Sequence, residues 1–245
     1  MTQQEAADRT SIRPMGVVHS LLVYCPAAIL LFAITRYIIP HLAEVTGHEP
    51  ILFWFLCGGL LVFLPLIVAA VVILIAEGYS LSEETWSRRM RFRRPTKVDV
   101  GWAFIALVVS GALSAMVMKG IDAVTTGFDH TPVFMTFEPL TSGRYWLLLV
   151  WLPYWILNIL GEEILWRGVI LPRQEVAFGR GTWVFHGFGW GLFHLAFGWQ
   201  LLLTLVPLLF VQSYVVQRTQ NSWVGVMIHG TINGPSFIAI ALGLL

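Results

Sequence analysis

The chain has 245 residues, of which 57% are apolar and only 12% are Asp, Glu, Lys or Arg. This charged fraction is about half of what a soluble globular domain carries, so the composition excludes a soluble protein. The mean hydropathy of +0.74 and the 11 Trp residues indicate a domain that faces lipid. The net charge is +1, and no basic block is interleaved with aromatics, so a nucleic-acid partner is not expected.

Continuous apolar runs predict the membrane-spanning elements. A transmembrane helix needs about 20 apolar residues to cross ~30 Å of hydrocarbon, and an open sheet would leave its edge groups unpaired in lipid. The runs therefore predict an all-α fold with about seven transmembrane helices in one bundle. The predicted helices are 17–39, 51–76, 101–118, 145–171, 183–197, 201–217 and 222–244. Within this single membrane domain we distinguish N-terminal helices (residues 1–143) from a C-terminal core (residues 144–245).

The Lys and Arg residues predict the orientation. If the helices alternate in direction, eleven basic residues fall on one side of the membrane and three on the other, and the positive-inside rule then places the N-terminus in the cytoplasm. The eleven are Arg9, Arg13, Arg88, Arg89, Arg91, Arg93, Arg94, Lys97, Arg173, Arg180 and Arg218; the three are Arg36, Lys119 and Arg144. We expect an integral membrane protein, and the short chain without a retention signal favours a prokaryotic plasma membrane.

Residues 80–97, the basic segment, contain the largest group of positive charges, Arg88–Arg94. Ser80 and Glu83 have the spacing of a helix-capping box, which predicts a short helix on the cytoplasmic membrane surface. Its charges suit either attraction to anionic lipid head groups or, as we favour, a simple topology anchor. The loop of residues 120–143 on the other side is long enough to fold over the bundle.

Ionisable side chains inside apolar spans are costly, and they are therefore candidates for function. Here they cluster in the last hundred residues, together with one asparagine. The residues are Glu162, Glu163 and Arg167 on the fourth predicted helix, His194 on the fifth, and His229 and Asn233 on the seventh. At a rise of ~1.5 Å per residue, the first glutamate, the two histidines and the asparagine lie about 10–16 Å from the cytoplasmic ends of their helices. This agreement in depth predicts one site.

Helical periodicity assigns these groups to faces. Glu163 and Arg167 are four residues apart and are expected to pair, whereas Glu162 points about 100° away. His229 and Asn233 are also four apart and can present two side chains to one point. The carboxylates could instead form a structural network, and a lone buried histidine is more often a packing residue, but the shared depth favours a site. His186, only three residues inside its helix, is expected at the membrane interface.

A carboxylate, two imidazoles and an amide in a cavity of low dielectric constant suit peptide hydrolysis. Glu162 could take a proton from water, with His194 sharing or orienting that water. His229 and Asn233 could donate hydrogen bonds to the oxyanion that forms when water attacks an amide carbonyl. In an alternative arrangement, Glu162, His194 and His229 hold Zn²⁺ with an open fourth position, although the common H-E-x-x-H helix is absent.

Three motifs resemble those of the CPBP (Abi) family of intramembrane proteases, which includes the type II CAAX prenyl endopeptidases. They are Glu162-Glu163-x-x-x-Arg167, Trp190-x-x-x-His194 and His229-x-x-x-Asn233. The closest stretch is Gly161–Pro172, and the resemblance covers residues 160–235. It implies a catalytic core in residues 144–245, with Glu162 as the base on water together with His194. It also implies an oxyanion site formed by His229 and Asn233.

The same resemblance implies that Glu163 and Arg167 shape the site or its substrate contacts. Trp190 departs from the family pattern, in which Phe is usual, and the departure concerns packing or substrate access more than the chemistry. The family has been described both as metal-dependent and as a glutamate protease. We favour water activated by Glu162 without a catalytic metal, and zinc remains the alternative.

The leading hypothesis is an intramembrane endopeptidase that cleaves a membrane-associated or lipidated peptide or protein near the cytoplasmic face. A second hypothesis is a catalytically silent CPBP-like binding or immunity protein, against which the complete set of candidate catalytic residues argues. A third is an ion-coupled transporter, because buried Glu and His also suit proton coupling. Such transporters are commonly built from two related halves, whereas the polar residues here lie at one end of the chain.

Overall fold

The structure is a computed structural model that describes residues 12–129 and 131–244. Over these residues the chain is helical and contains no strand, so the predicted all-α class is confirmed. Within the described part of the chain, six helical segments are long and apolar enough to cross a membrane. They are Val17–Thr46 (α1), Pro50–Ala76 (α2), Lys97–Val124 (α3), Leu147–Phe197, Trp199–Thr219 and Ser222–Ala241. Arg9, which contributed to the predicted orientation, lies outside the described residues.

The fourth segment is a hairpin of two antiparallel helices, α4 (147–178) and α5 (Thr182–His194). The chain reverses at Gly179, whose φ of +58° is one that L side chains rarely adopt. The two arms then meet side by side. His186 Nδ1 lies 2.7 Å from Gln174 Oε1, although twelve residues of straight helix would separate them by about 18 Å. The predicted helices 145–171 and 183–197 correspond to these two arms. Because the two arms form one continuous segment, the structure has six segments where the sequence predicted seven helices.

The two remaining helices, α6 (Trp199–Thr219) and α7 (Ser222–Ala241), complete the bundle. Within α4, an α-helix ends at Glu162 and a π-helical stretch follows, Glu163–Ile170. Wider turns of this kind are frequent at functional sites. Here α4 also approaches α2 closely, since a Cβ at Gly161 would lie only 2.6 Å from the backbone oxygen of Phe63. Gly161 therefore fixes the helix position next to Glu162.

His186, expected at the membrane interface because it lies near the start of its helix, is fully buried by other side chains. Its Nδ1 lies 3.1 Å from the Tyr24 hydroxyl, and Gln174, which also contacts this nitrogen, donates to Ser20 Oγ at 3.0 Å. Tyr24 stacks on Trp166, with ring centroids 4.6 Å apart. Helix α1 thus covers the start of α5, and a histidine near a helix end is buried when another helix packs there.

The basic segment packs against the bundle with some of its side chains and leaves others exposed. It forms a short helical turn, Thr85–Arg89, and Ser82 rather than Ser80 accepts a hydrogen bond from the first turn. The next apolar side chains, Met90 and Phe92, are buried against α4. We call this end of the bundle the basic face.

Two arginines of the basic segment are held in ion pairs with other helices. Arg89 Nη2 lies 2.8 Å from Glu77 Oε2, and Arg91 Nη2 lies 2.8 Å from Glu175 Oε2. These contacts tie the segment to α2 and α4. Attraction to anionic lipid would therefore depend on the exposed arginines of the segment, which are Arg88, Arg93 and Arg94.

The opposite end of the bundle, which we call the loop face, carries the loop between α3 and α4. This loop folds over the helix ends, as its length predicted. Phe134 packs against Trp54 and Phe197, with ring centroids 5.1 and 5.9 Å away. The Leu140 amide donates to the carbonyl of Ala241 at 2.8 Å, which joins the loop to the end of α7.

Candidate active site

A cavity of about 750 Å³ lies within the bundle, between α2, α4, α6, α7 and the end of α5. Most of its wall is aromatic or aliphatic, and its volume is typical of sites that bind small molecules or side chains. All four residues predicted to be catalytic line this one cavity, together with one further amide. The polar residues of the wall that form this group are Asn158, Glu162, His194, His229 and Asn233.

Glu162 faces the cavity and is only 2% exposed. Its Oε1 accepts a hydrogen bond from Asn158 Nδ2 at 3.0 Å, and its Oε2 accepts one from Trp190 Nε1 at 2.5 Å. Each oxygen of a carboxylate can accept two hydrogen bonds. Both oxygens of Glu162 therefore keep a lone pair for a water molecule in the cavity, while the two donors hold the carboxylate in place.

Glu163 points away from the cavity into a fully buried polar cluster. Its Oε1 lies 3.1 Å from Arg167 Nη1, 2.9 Å from His229 Nδ1 and 2.9 Å from Gln212 Nε2. The predicted pairing of Glu163 with Arg167 is therefore present, and the two glutamates do point in different directions. The other oxygen, Oε2, packs against Gly225, where a Cβ would overlap it. A glycine is needed at this position of α7.

Trp190 connects the buried ion pair to Glu162. Its indole N–H donates to Glu162, and its ring lies under the Arg167 guanidinium, which is 3.5 Å from the ring centroid. A cation over an aromatic face is stabilised by the ring quadrupole. Phe is usual at this position in the family that the motifs resemble. A Phe ring would provide the aromatic face under Arg167 but not the N–H donor, so Trp190 gives this chain an additional contact to Glu162.

The contacts of His229 determine where its protons lie. Nδ1 faces the carboxylate of Glu163, which only accepts when ionised, so Nδ1 carries a proton. Nε2 lies 3.1 Å from Asn233 Nδ2, which donates to it when the ring is neutral, and the same amide nitrogen lies 3.2 Å from Asn158 Oδ1. Donation from Nε2 to an oxyanion would therefore need the doubly protonated ring, whose charge, together with that of Arg167, is balanced by Glu162 and Glu163.

His194 is fixed by its own helix. Its Nδ1 lies 2.9 Å from the carbonyl oxygen of Trp190, one turn earlier in α5, so Nδ1 donates and carries the proton. The rings of Trp190, Phe193 and Phe197 surround the imidazole, with centroids 5.3–5.4 Å away. Nε2 is then unprotonated in the neutral ring, and this nitrogen is able to accept a proton from water.

The side chains do not fit the three-ligand zinc site that the sequence allowed. Glu162, His194 and His229 share one cavity, but among the described residues no three His, Cys, Asp or Glu side chains are grouped so as to hold a metal ion. Both ring nitrogens of His229 already contact other side chains, Glu163 and Asn233. A metal at this ring would have to displace one of these contacts.

Gln212 is a member of the cluster that the sequence did not single out. It lies on α6, is fully buried and donates to Glu163 Oε1. A glutamine within an apolar span was the available signal, because a buried amide requires hydrogen-bond partners. Its partners lie on α4 and α7, and spacing along one helix does not identify partners on another.

Comparison with known proteins agrees with the resemblance found in the sequence. Residues 144–234 match the family model described as type II CAAX prenyl endopeptidase Rce1-like. The matched segment contains all three motifs, from Glu162 to Asn233, and leaves the first 143 residues outside the match. Neither the curated proteins nor the solved structures gave a match. The C-terminal core is thus similar to the Rce1-like family, in agreement with the resemblance of its motifs.

Proposed function

We propose that the chain is an intramembrane endopeptidase that hydrolyses a peptide bond in a membrane-associated or lipidated peptide or protein. The observation that carries the proposal is the convergence of Glu162, His194, His229 and Asn233 on one cavity inside a membrane bundle. The Rce1-like match over residues 144–234 supports proteolysis as the activity at the family level. The assignment of roles to residues rests on the contacts around each side chain.

In the proposed reaction, a water molecule attacks the carbonyl carbon of the scissile peptide bond. Glu162 takes one proton from that water as the new C–O bond forms, and His194 Nε2 orients the water through a hydrogen bond. The negative charge moves to the carbonyl oxygen. Asn233 Nδ2–H and doubly protonated His229 donate hydrogen bonds to this oxyanion. The C–N bond then breaks, and the leaving amine receives the proton that Glu162 carries.

The test is cleavage of candidate membrane peptides by the protein reconstituted in lipid, with products identified by mass spectrometry. We expect two complementary fragments per substrate and the same rate in the presence of a chelator. The double variant Glu162→Ala/His194→Ala, purified in parallel, reports any contaminating protease. Activity lost on chelation and restored by Zn²⁺ would contradict the proposed roles and make Glu162, His194 and His229 metal ligands.

The same assay separates the alternatives. A silent binding protein would retain a peptide without producing fragments, and the double variant would retain it equally well. An ion-coupled transporter would produce no fragments and would instead move protons or ions across the lipid when substrate is added. Either of these results would overturn the proposal of an endopeptidase.

A conservative change at Trp190 is expected to separate binding from chemistry. Trp190→Phe keeps a ring under Arg167 but removes the hydrogen bond to Glu162. A hydrogen bond to a charged group contributes about 1.5–3 kcal/mol, so we expect kcat to fall about 10- to 100-fold. KM should change little, because most of the cavity wall is intact. A fall in kcat/KM caused only by a higher KM would show that Trp190 contacts substrate instead of orienting Glu162.

A further inference from the structure

We propose that substrate reaches the site from the loop face, so that the cleaved peptide segment comes from the side of the membrane opposite the basic segment. This inference rests on the proposed function, because it takes the molecule that enters the cavity to be a peptide substrate. The direction of entry rests on the shape of the cavity. It replaces the expectation of cleavage near the cytoplasmic face. The geometry of the lining residues carries the proposal.

The helices that line the cavity do so mainly through their halves nearer the loop face. On α4 the lining residues run from Trp151 to Glu162, and on α7 they run from His229 to Ile240. Each run corresponds to about 16 Å of helix. In both runs a candidate catalytic residue, Glu162 on α4 and His229 on α7, lies nearest the basic face. The cavity therefore extends from Glu162 and His229 toward the loop face.

On α7 the exposure of the lining side chains rises along the same direction. At the inner end, Glu162 and His229 are 2% and 3% exposed, whereas Ile240 at the other end is 44% exposed. Ser236, between them on α7, and Thr136 of the covering loop are also exposed. Thr136 and neighbouring loop residues form part of the wall. They therefore form a rim around the opening.

The route from the basic face is closed by packed side chains. Beyond Glu162 on α4, Trp166 and Arg167 have no exposed surface. Met90 and Phe92 of the basic segment cover this end of α4, and the ion pair formed by Arg89 holds the segment there. Among the described residues, those that line the cavity include none from the basic segment.

The distribution of Lys and Arg relates the loop face to a side of the membrane. Among the described residues the basic face carries ten of them, and the loop face carries Arg36, Lys119 and Arg144. The positive-inside rule then makes the loop face extracytoplasmic. The substrate class that fits is a peptide segment exposed on that side, such as the juxtamembrane part of a membrane protein or a peptide already translocated. Its apolar residues would occupy the aromatic wall around Trp151 and Phe237.

Single cysteines test the direction without requiring turnover. In a background with Cys25→Ala and Cys57→Ala, Ser236→Cys probes the cavity, Glu138→Cys marks the loop face and Glu83→Cys marks the basic face. Val68→Cys, whose parent residue is exposed in the middle of α2, is the control for a lipid-facing thiol. A membrane-impermeant maleimide is applied to right-side-out and everted vesicles. It reacts only with thiols that reach water, because the thiolate is the reactive species.

We expect Ser236→Cys to react from the same side as Glu138→Cys, at least about tenfold faster than from the side of Glu83→Cys. We also expect that side to be the outer one in intact cells. Labelling of Ser236→Cys from the side of Glu83→Cys would overturn the proposal, as would labelling no faster than that of Val68→Cys. Labelling of Glu138→Cys only in everted vesicles would overturn the extracytoplasmic assignment. If the variants label as expected but the protein cleaves no peptide, only the proposed endopeptidase activity is contradicted, and the direction of access to the cavity stands.

Discussion

Replacing Glu162 by Gln is expected to lower kcat about 10²- to 10⁴-fold, which is the usual contribution of a general base. The amide has nearly the same shape as the carboxylate but cannot take a proton from water. KM is expected to change little, because Glu162 forms only the inner end of a large apolar cavity. Initial rates at saturating and low peptide concentrations measure the two parameters separately.

The fold should survive this substitution, since the amide oxygen of the Glu162→Gln variant can still accept a hydrogen bond from Asn158 or Trp190. The matched control is Glu175→Gln, which removes a carboxylate from the same helix near the basic face, where Glu175 pairs with Arg91. We expect this control to keep its kcat even if its thermal stability falls. A Glu162→Gln protein with more than about a tenth of the wild-type kcat would rule out Glu162 as the base.

Replacing Glu163 by Gln is expected to have the largest effect on stability. Glu163 and Arg167 are both fully buried, and the substitution leaves the guanidinium without its counter-charge. Removing one partner of a buried ion pair typically costs about 3–5 kcal/mol. We therefore expect a large drop in the midpoint of thermal unfolding in detergent. Activity should fall as well, because His229 loses the carboxylate that orients it.

A second substitution separates these two effects. In Glu163→Gln/Arg167→Met both charges are gone, and a thioether makes favourable contacts with an aromatic ring such as that of Trp190. Without either charge, no unpaired ion is left buried, so the double variant should recover most of the lost stability. It should not recover activity. Equal activity of the double variant and wild type would show that Glu163 serves only to neutralise Arg167.

The fold class was predictable from composition and apolar runs, since continuous runs of about 20 residues have few solutions in lipid. The reversal between α4 and α5 was also predicted, because a polar stretch separates the two apolar runs. The packing of the basic segment against other helices was not predictable. Its arginines have partners, Glu77 and Glu175, on other helices, and the sequence does not say which carboxylates come near. The capping-box spacing of Ser80 and Glu83 and the run of arginines after them predicted only a charged helix on the membrane surface.

Much of the candidate site was predictable because its residues lie on helices with a known rise and rotation. Depth placed Glu162, His194 and His229 together, and spacing paired Glu163 with Arg167. Contacts between helices were not predictable in the same way. The hydrogen bond from Trp190 to Glu162 and that from Gln212 to Glu163 depend on the packing of α5 and α6 against α4.

The buried charges near the cavity have a consequence for how a reaction could proceed inside a membrane. Glu162, Glu163 and Arg167 together carry one net negative charge when ionised, and protonated His229 brings the total to zero. In the proposed reaction, the charge leaves Glu162 as the oxyanion appears nearby, beside His229. The interior thus keeps a constant net charge throughout turnover. No ion has to cross lipid, and the solvation cost of these charges is met once, when the bundle folds.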